Sequence, residues 1–277
     1  MIIVGFLLFA IFFGVVAYKR MEYALVSIVA LLPAYLVRFS LFGLPTTLLE
    51  VMILSSTAAW LVRTVQTSGK ESVFLQTFFA KKKKSFAIQL LCWAIGVFVV
   101  SGAVSVVIAP SMIAAVGLYR AYIIEPIIVF VLFVDTLKNR RVFLAVLYAL
   151  IVAAIAVSIG ALVQYLTGWG IPGPWVEERR TTSIYPYPNA VGLFVAPLIP
   201  LMVTLLLHIR LNYQKGVIRY SLIGLLFCGI GVSIGALAAS KTEGAIIALV
   251  GIVVIAGLFW IPRARYRTLW LASIGIA

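Results

Sequence analysis

The chain has 277 residues, of which 64% are hydrophobic and only 11% are charged, and its net charge is +14. This composition excludes an ordinary soluble domain and predicts membrane spans, since a spanning helix needs about 20 mainly apolar residues. In a soluble protein so positive a charge would indicate a nucleic-acid partner. Here basic cytoplasmic loops beside anionic lipid head groups account for it, so the expected surroundings are a lipid bilayer and no nucleic acid.

In chain order the sequence contains nine apolar blocks, at about 2–17, 22–37, 46–62, 86–108, 121–137, 142–167, 189–209, 220–239 and 244–262. Spans this long and continuously apolar are helices, not barrel strands. A tenth block opens at Thr268 and reaches Ala277, which is too short to cross. The sequence therefore predicts an all-α polytopic transmembrane bundle: one integral membrane domain over 1–277, with nine complete spans, a truncated tenth and further chain beyond Ala277.

Basic residues fall mainly in every second connection between these blocks, which predicts that those connections are cytoplasmic. The first block lacks a basic segment before it and a small-residue cleavage site, so it is expected to be a retained helix with an outside N-terminus. The longest inner connection, 63–85, is predicted to be a cytoplasmic loop, and 168–188 an outer loop. Neither cysteine lies in a connection, so neither a disulfide framework nor a metal site is expected.

Five of the 22 basic residues break this pattern and fall on the outer side: Arg38, Arg120, Arg179, Arg180 and Lys241. Arg179 and Arg180 lie in the most irregular outer segment, GWGIPGPWVEERRTTSIYPYP. Arginine binds phosphate with a planar, permanently charged fork, so this pair is a candidate site for a pyrophosphate leaving group. Alternatively, Glu177 and Glu178 neutralise the pair on a solvated loop.

Acidic residues accompany the other exceptions. Glu50 and Glu125 lie near the predicted outer ends of their spans, and Glu243 follows Lys241 in the tight link ASKTEG. Ionisable residues in spans are usually paired and functional. Two interpretations stay open: structural ion pairs of Arg38 or Arg120 with the two glutamates, or direct ligand contacts. Together these outer charges predict an anionic ligand in the outer leaflet, for which a lipid-linked pyrophosphate is the obvious candidate.

Two segments carry a family resemblance. Arg180-Thr-Thr-Ser-Ile-Tyr-Pro-Tyr-Pro-Asn-Ala, which leads into the span VGLFVAPLIPL, resembles the part of O-antigen ligases and polymerases in which an outer-face Arg precedes Pro-Asn. The hairpin ALAASKTEGAIIALV resembles the Ser-Arg motif between two spans of the same family, although Lys241 stands where the family usually has Arg. The resemblance implies a bacterial inner-membrane glycosyltransferase of the type-C architecture, inverting and independent of metals and cofactors.

Such enzymes transfer a glycan from an undecaprenyl-pyrophosphate donor on the outer face to a lipid, glycan or protein acceptor. The resemblance assigns pyrophosphate binding to Arg179 or Arg180 and to Lys241, with Arg120 and Arg38 as further candidates and Glu50, Glu125, Asn189 and Glu243 in support. In the ligases a later outer loop carries a functional His, so catalytic residues are expected beyond Ala277 and the chain is not expected to act alone. The alternatives are a transporter or flippase of an anionic lipid-linked substrate and a non-catalytic membrane subunit. Ligase and polymerase, the glycan and the oligomeric state are not distinguished.

Overall fold

The computed structural model describes residues 2–41, 44–67, 69–70, 72–79, 85–212 and 216–260. Within these ranges the chain is mostly helical, as predicted for an all-α membrane protein. By its internal contacts it divides into two compact units, Met1–Ala149 and Leu150–Ala277. The predicted tenth block, which opens at Thr268, and residues 81–84 of the predicted loop 63–85 lie outside the described residues.

The first unit contains seven α-helices and one β-hairpin within the part of the chain just defined. The helices are α1 (Ile2–Lys19), α2 (Met21–Ala30), α3 (Leu48–Gln66), α4 (Val73–Phe79), α5 (Phe86–Val107), α6 (Met112–Tyr119) and α7 (Glu125–Thr136). Short 3-10 structure covers Leu32–Leu36. Strands β1 (Arg38–Leu41) and β2 (Leu44–Thr47) pair antiparallel, with Arg38 opposite Thr47.

The core of this unit lies where α1, α2, α3 and α7 meet. Its buried side chains are apolar and include Phe13, Leu25, Ile28, Met52 and Leu132. Helix α3 starts at a Thr47 cap, whose hydroxyl accepts a hydrogen bond from the Glu50 N–H at 3.1 Å. The cap fixes Glu50 in the first turn of the helix, next to the hairpin.

Helices α6 and α7 are joined without a break by a π-helical turn, Arg120–Ile124. Pro126 has no N–H to donate to the preceding turn and its ring would crowd that turn, which explains the local widening. The combined helix Met112–Thr136 is long and apolar enough to cross a membrane. The predicted outer connection 109–120 is therefore too long, and Arg120 and Glu125 lie well inside a helix instead of near its outer end.

The second unit is built from α8 (Arg140–Thr167, beginning in the first unit), α9 (Pro188–Val195), α10 (Leu198–Asn212), α11 (Val217–Ser240) and α12 (Glu243–Trp260). Small residues let α8 and α11 approach closely, as in many membrane helix pairs. The hydroxyl of Ser158 donates to that of Ser233 at 3.4 Å in a fully buried contact. A Cβ on Gly229 would lie 2.8 Å from Ile155 Cδ1.

Six helical stretches of the described chain are long and apolar enough to span a membrane: Leu48–Gln66, Phe86–Val107, Met112–Thr136, Arg140–Thr167, Pro188–Leu211 and Val217–Ser240. Three further apolar helices are shorter: Val4–Lys19, Met21–Ala30 and Glu243–Ala256. The prediction of a multi-pass membrane protein is confirmed at this level. The count of nine spans and the N-terminal orientation stay predictions.

Two connections differ in detail from those predicted. Residues 63–66 still belong to α3, and α4 occupies the middle of the segment 63–85, so this connection is shorter than expected and partly helical. Asp135 Oδ1 accepts a hydrogen bond from the Phe74 N–H at 2.6 Å, which holds the start of α4 against α7. The connection from Gly168 to Tyr187, by contrast, has a single 3-10 turn at Gly173–Trp175 as its helical structure.

Candidate functional site: a cationic cleft in the second unit

The link between α11 and α12 places Lys241 at a sharp turn. Helix α11 ends at Ser240, Lys241 adopts the left-handed conformation with φ +51°, and α12 begins at Glu243. The hydroxyls of Ser240 and Thr242 are 2.9 Å apart and buried, so they close the turn from inside. Thr242 also donates to the Pro188 carbonyl at 3.3 Å, which ties the turn to the start of α9.

Close packing of α9 against this turn depends on Gly192. A Cβ at that position would lie 2.5 Å from Thr242 Cγ2 and 2.9 Å from Ala245 Cβ, closer than side chains approach. Glycine therefore allows α9 and α12 to meet at the turn. The two helices form the walls of the site described below.

Arg180 is anchored against the same turn by its guanidinium group. Its Nε donates to the Ser240 carbonyl at 3.2 Å, and its Nη2 donates to Asn189 Oδ1 and to the Lys241 carbonyl, both at 3.3 Å. The ring of Trp175 covers the guanidinium, with its centroid 5.1 Å from Cζ. The side chain is only 20% exposed, so its position is well determined by packing.

Both cations keep N–H groups that bond to no residue in the described part of the chain. Arginine has five N–H groups, and those on Nη1 are left over, 4.0 Å from the exposed carboxylate of Glu178. Lysine has three, and Lys241 Nζ uses one of them to donate to the Glu178 carbonyl at 2.6 Å. The site can therefore offer several charged donors to an anion.

These donors open onto a cleft with a volume of about 720 Å³, which we call the Arg180–Lys241 cleft. Its polar end contains Arg180, Lys241, Asn189 and Glu243. Its walls come from α9, from the two residues that follow α9, and from α12. Their residues are apolar or small: Gly192, Leu193, Ala196, Pro197, Gly244, Ala245, Ala248, Leu249 and Ile252. A charged end joined to an apolar trough is the shape of an amphipathic ligand.

The structure brings together four of the predicted site residues, those at the polar end of the cleft, and separates Arg179 from them. Arg179 is exposed, has φ +48° and does not line the cleft. Its guanidinium instead lies near Gly168, where a Cβ would be 3.8 Å from Nη2. Arg179 and Arg180 are adjacent in sequence, but their side chains lie in different parts of the unit.

In the first unit, Arg120 is engaged by both predicted glutamates. Its Nη2 lies 3.0 Å from Glu50 Oε2, and its Nε lies 3.7 Å from Glu125 Oε1. It also donates to the Pro45 carbonyl at 3.0 Å, which links the helix to the hairpin. Glu50 and Glu125 are buried, whereas Arg38 is exposed on β1. Of the two interpretations that the sequence left open, the contacts favour structural ion pairs for Arg120.

Gln164 was not predicted from the sequence, although it organises the loop that carries Arg180. This buried side chain makes four hydrogen bonds to the loop backbone. A single Gln at the end of an apolar block has no distinctive spacing or partner in sequence. Its polarity so close to the end of a span was the one available signal.

The Arg180–Lys241 cleft is the best-defined candidate site of the described residues, because it combines fixed cations, unused donors and an apolar wall. No protein-family model, curated protein or solved structure matches this chain.

Proposed function

We propose that the Arg180–Lys241 cleft binds a polyprenyl-pyrophosphate glycan donor, and that the chain is part of a membrane glycosyltransferase resembling O-antigen ligases and polymerases. The observation that carries the proposal is that two cations and an apolar trough line the same cleft. A diphosphate ester of a long isoprenoid alcohol is complementary to such a cleft, because it carries a compact dianionic head on an apolar chain.

The head group supplies most of the binding energy in this proposal. Hydrogen bonds to charged groups contribute about 1.5–3 kcal/mol each, and the unused N–H groups of Arg180 and Lys241 allow several. Because Arg180 is already held by Ser240, Asn189 and Trp175, little side-chain entropy remains to be lost on binding. Arg180 supplies a planar fork and Lys241 a point charge, so both phosphates of a pyrophosphate can be engaged.

The apolar wall of the cleft orients the polyprenyl chain and adds little to the affinity for the donor. A polyprenyl chain already lies in the bilayer, so moving it from lipid to a protein groove gains little hydrophobic free energy. The small residues of the wall, such as Ala196, Ala245 and Ala248, leave a groove instead of a filled interface. This groove would direct the chain away from the charged end and hold the pyrophosphate beside the cations.

The proposed reaction is a displacement at the anomeric carbon of the donor glycan. An acceptor hydroxyl oxygen forms a bond to that carbon, the bond from carbon to the pyrophosphate oxygen breaks, and the pyrophosphate leaves with the electron pair. The hydroxyl proton passes to a base. Negative charge grows on the leaving oxygen, and fixed cations at that position lower the barrier. In this scheme Arg180 and Lys241 perform that role without a metal.

A second function, translocation of an anionic lipid-linked substrate, is favoured by one specific feature. Transporters carry ionisable residues and interrupted helices at membrane depth. Arg120 and Glu125 lie inside the helix Met112–Thr136, at a π-helical turn, and the helix pair α9–α10 is interrupted at Ala196–Pro197. The contacts of Arg120 leave it engaged by carboxylates, however, and so less suited to an anionic substrate than Arg180.

Binding of a short-chain polyprenyl pyrophosphate to the purified chain in detergent tests the proposal. Arg180→Ala should weaken binding roughly 10- to 150-fold, the equivalent of about 1.5–3 kcal/mol. The control is Arg179→Ala, which removes the same charge from the same loop outside the cleft and should stay within about twofold. Equal losses in both variants would mean that loop charge, not the cleft, attracts the ligand.

A reconstituted assay separates the two candidate functions. With the protein in proteoliposomes, transfer predicts a new glycan-acceptor product that Arg180→Ala abolishes. Translocation predicts that the donor changes leaflet with its pyrophosphate link intact. Donor that moves without forming any product would overturn the transferase and support the transporter.

A further inference from the structure

We propose that Gln164 is the positioning residue of the Arg180–Lys241 cleft, because its side-chain amide fixes the loop from which Arg180 reaches the ligand. This inference rests on the proposed function of the cleft. Gln164 lies in the last turn of α8, and only 8% of it is exposed. A buried primary amide is stable only when its donors and acceptor are satisfied.

All the hydrogen-bonding capacity of the Gln164 amide is directed at the loop backbone. Its Oε1 accepts from the N–H groups of Thr182 at 2.9 Å and Ser183 at 2.7 Å. Its Nε2 donates to the carbonyls of Gly170 at 3.0 Å and Ser183 at 2.8 Å. One side chain therefore joins the outgoing part of the loop to the returning part and attaches both to α8.

Thr182 and Ser183, which the Gln164 amide clamps to α8 by hydrogen bonds, lie two and three residues after Arg180. The N–H groups from Arg180 to Ser183 all have acceptors: Trp175 O for Arg180, Ala239 O for Thr181 and Gln164 for the last two. Thr181 and Thr182 are fully buried. Loss of the Gln164 amide would leave two of these four N–H groups without an acceptor, one of them on the fully buried Thr182, so the loop would have to move outward to reach water.

Helix α8 also has a recess that receives the same segment. Ser183 has φ +53°, and its hydroxyl donates to the Val157 carbonyl at 2.7 Å. A Cβ at Gly160 would lie 2.6 Å from the Ser183 hydroxyl oxygen. Gly160→Ala would therefore push the loop off α8 while the Gln164 amide stays intact, which gives a second, independent way to disturb the same contact.

The direct test compares Gln164→Met with the unmodified chain. Methionine has nearly the same length and fills the space without hydrogen bonds. Hydrogen exchange of peptides covering 181–183 should become at least roughly tenfold faster, and affinity for a short-chain polyprenyl pyrophosphate should fall at least roughly tenfold. Gln164→Glu keeps the acceptor oxygen for Thr182 and Ser183 but turns a second carboxylate oxygen toward the Gly170 and Ser183 carbonyls, so its affinity should fall at least as far as that of Gln164→Met. Gly160→Ala should reproduce the exchange and affinity changes of Gln164→Met.

Gly229→Ala is the matched control for general destabilisation. It crowds Ile155 in the packed interior of the same unit without touching the loop. It should lower the thermal midpoint and leave affinity within about twofold, since it does not move Arg180. If affinity falls equally in Gly229→Ala and Gln164→Met, Gln164 acts only through stability and the inference is wrong.

The remaining outcomes separate the inference from the proposed function. Failure of the unmodified chain to bind any polyprenyl pyrophosphate would overturn the function, while faster exchange in Gln164→Met would still establish the clamp. Normal ligand affinity in Gln164→Met, with affinity lost in Arg180→Ala, would overturn the role of Gln164 and leave the function standing.

Discussion

Two arginines of this chain illustrate how burial and partners decide what a cation can do. Arg120 in the first unit contacts two buried carboxylates and a backbone carbonyl. Arg180 in the second unit is held by carbonyl and amide oxygens, and its one carboxylate partner among the described residues is an exposed glutamate at 4.0 Å. Two buried carboxylates therefore offset the charge of Arg120, whereas no buried carboxylate of the described residues offsets the charge of Arg180.

This difference follows from the acceptors that each site provides. A carboxylate buried in a helix bundle must be compensated, so Glu50 and Glu125 require Arg120. Neutral oxygens orient a guanidinium without cancelling its charge, which is the arrangement needed for binding an anion. Both residues are exceptions to the predicted positive-inside pattern, yet the pattern alone cannot separate an internal counter-charge from a binding group.

The largest expected effect comes from Arg120→Ala, which would leave two buried carboxylates without their cation. Breaking a buried ion pair typically costs about 3–5 kcal/mol; because the Arg120 side chain is itself 38% exposed, the free energy of unfolding in detergent should fall by about 3 kcal/mol, the lower end of that range. Adding Glu50→Gln to this variant should restore part of the loss, because one unpaired charge is removed. Arg38→Ala is the control, since an exposed side chain on β1 should change stability by less than about 0.5 kcal/mol.

The comparison would break if Arg120→Ala kept full stability and lost affinity for a polyprenyl pyrophosphate. Arg120 would then be a ligand group like Arg180. Full stability and unchanged affinity would show that the carboxylates need no counter-ion, which would contradict the argument from burial.

A smaller effect is expected from Gly192→Ala, which tests the packing that forms the cleft wall. The added methyl would overlap Thr242 and Ala245, and overpacking usually costs about 1–3 kcal/mol. Gly244→Ala is the matched control in the same cleft. A Cβ there meets nothing within 4 Å, so the higher helix propensity of alanine should raise stability by about 0.5–1 kcal/mol. A lower thermal unfolding midpoint for Gly192→Ala and a higher one for Gly244→Ala, each relative to the unmodified chain, would support this account. Equal midpoints for the two variants would contradict it.

The helical membrane architecture was predictable because it depends on local composition. An apolar block of about 20 residues identifies a span without knowledge of its tertiary contacts, and the structure has long apolar helices at six of the predicted blocks. The start of the helix Met112–Thr136 was predicted wrongly, because the charge on Arg120 interrupts its apolar pattern and places the predicted start at residue 121. That charge is compensated by Glu50, 70 residues earlier, and no local pattern reports so distant a partner.

The residues of the candidate site also fall into two groups, those that the sequence predicted and those that it did not. Arg180 and Lys241 stood out as exceptions to a charge rule, and the structure places both at one cleft. Arg179 shared every sequence property of Arg180 but differs in backbone conformation, with φ +48°. Gln164 acts through tertiary hydrogen bonds to a loop, and the β-hairpin depends on pairing of two four-residue strands. Such features follow from contacts, which composition and spacing do not contain.

The smallest stability effect is expected at Lys241, where two substitutions separate the role of the left-handed backbone conformation from the role of the ammonium charge. Lysine is strained in the left-handed region, which glycine adopts freely, and the cost for a residue with a Cβ is about 1–2 kcal/mol. Lys241→Ala and Lys241→Gly both remove the ammonium group, but the glycine variant should be more stable than the alanine variant by about 1 kcal/mol. Their affinities for a polyprenyl pyrophosphate should fall equally, since both lack the donor, and this loss should shrink at high salt because exposed charges are screened.

If the glycine variant instead bound the ligand as well as the unmodified chain, the turn at Lys241 would matter for shape alone, and Arg180 would be the sole cation acting on the pyrophosphate. Recovery of affinity in Lys241→Arg, with the stability of the unmodified chain, would show that either cation serves at this turn and that its charge, more than its geometry, is what the cleft requires.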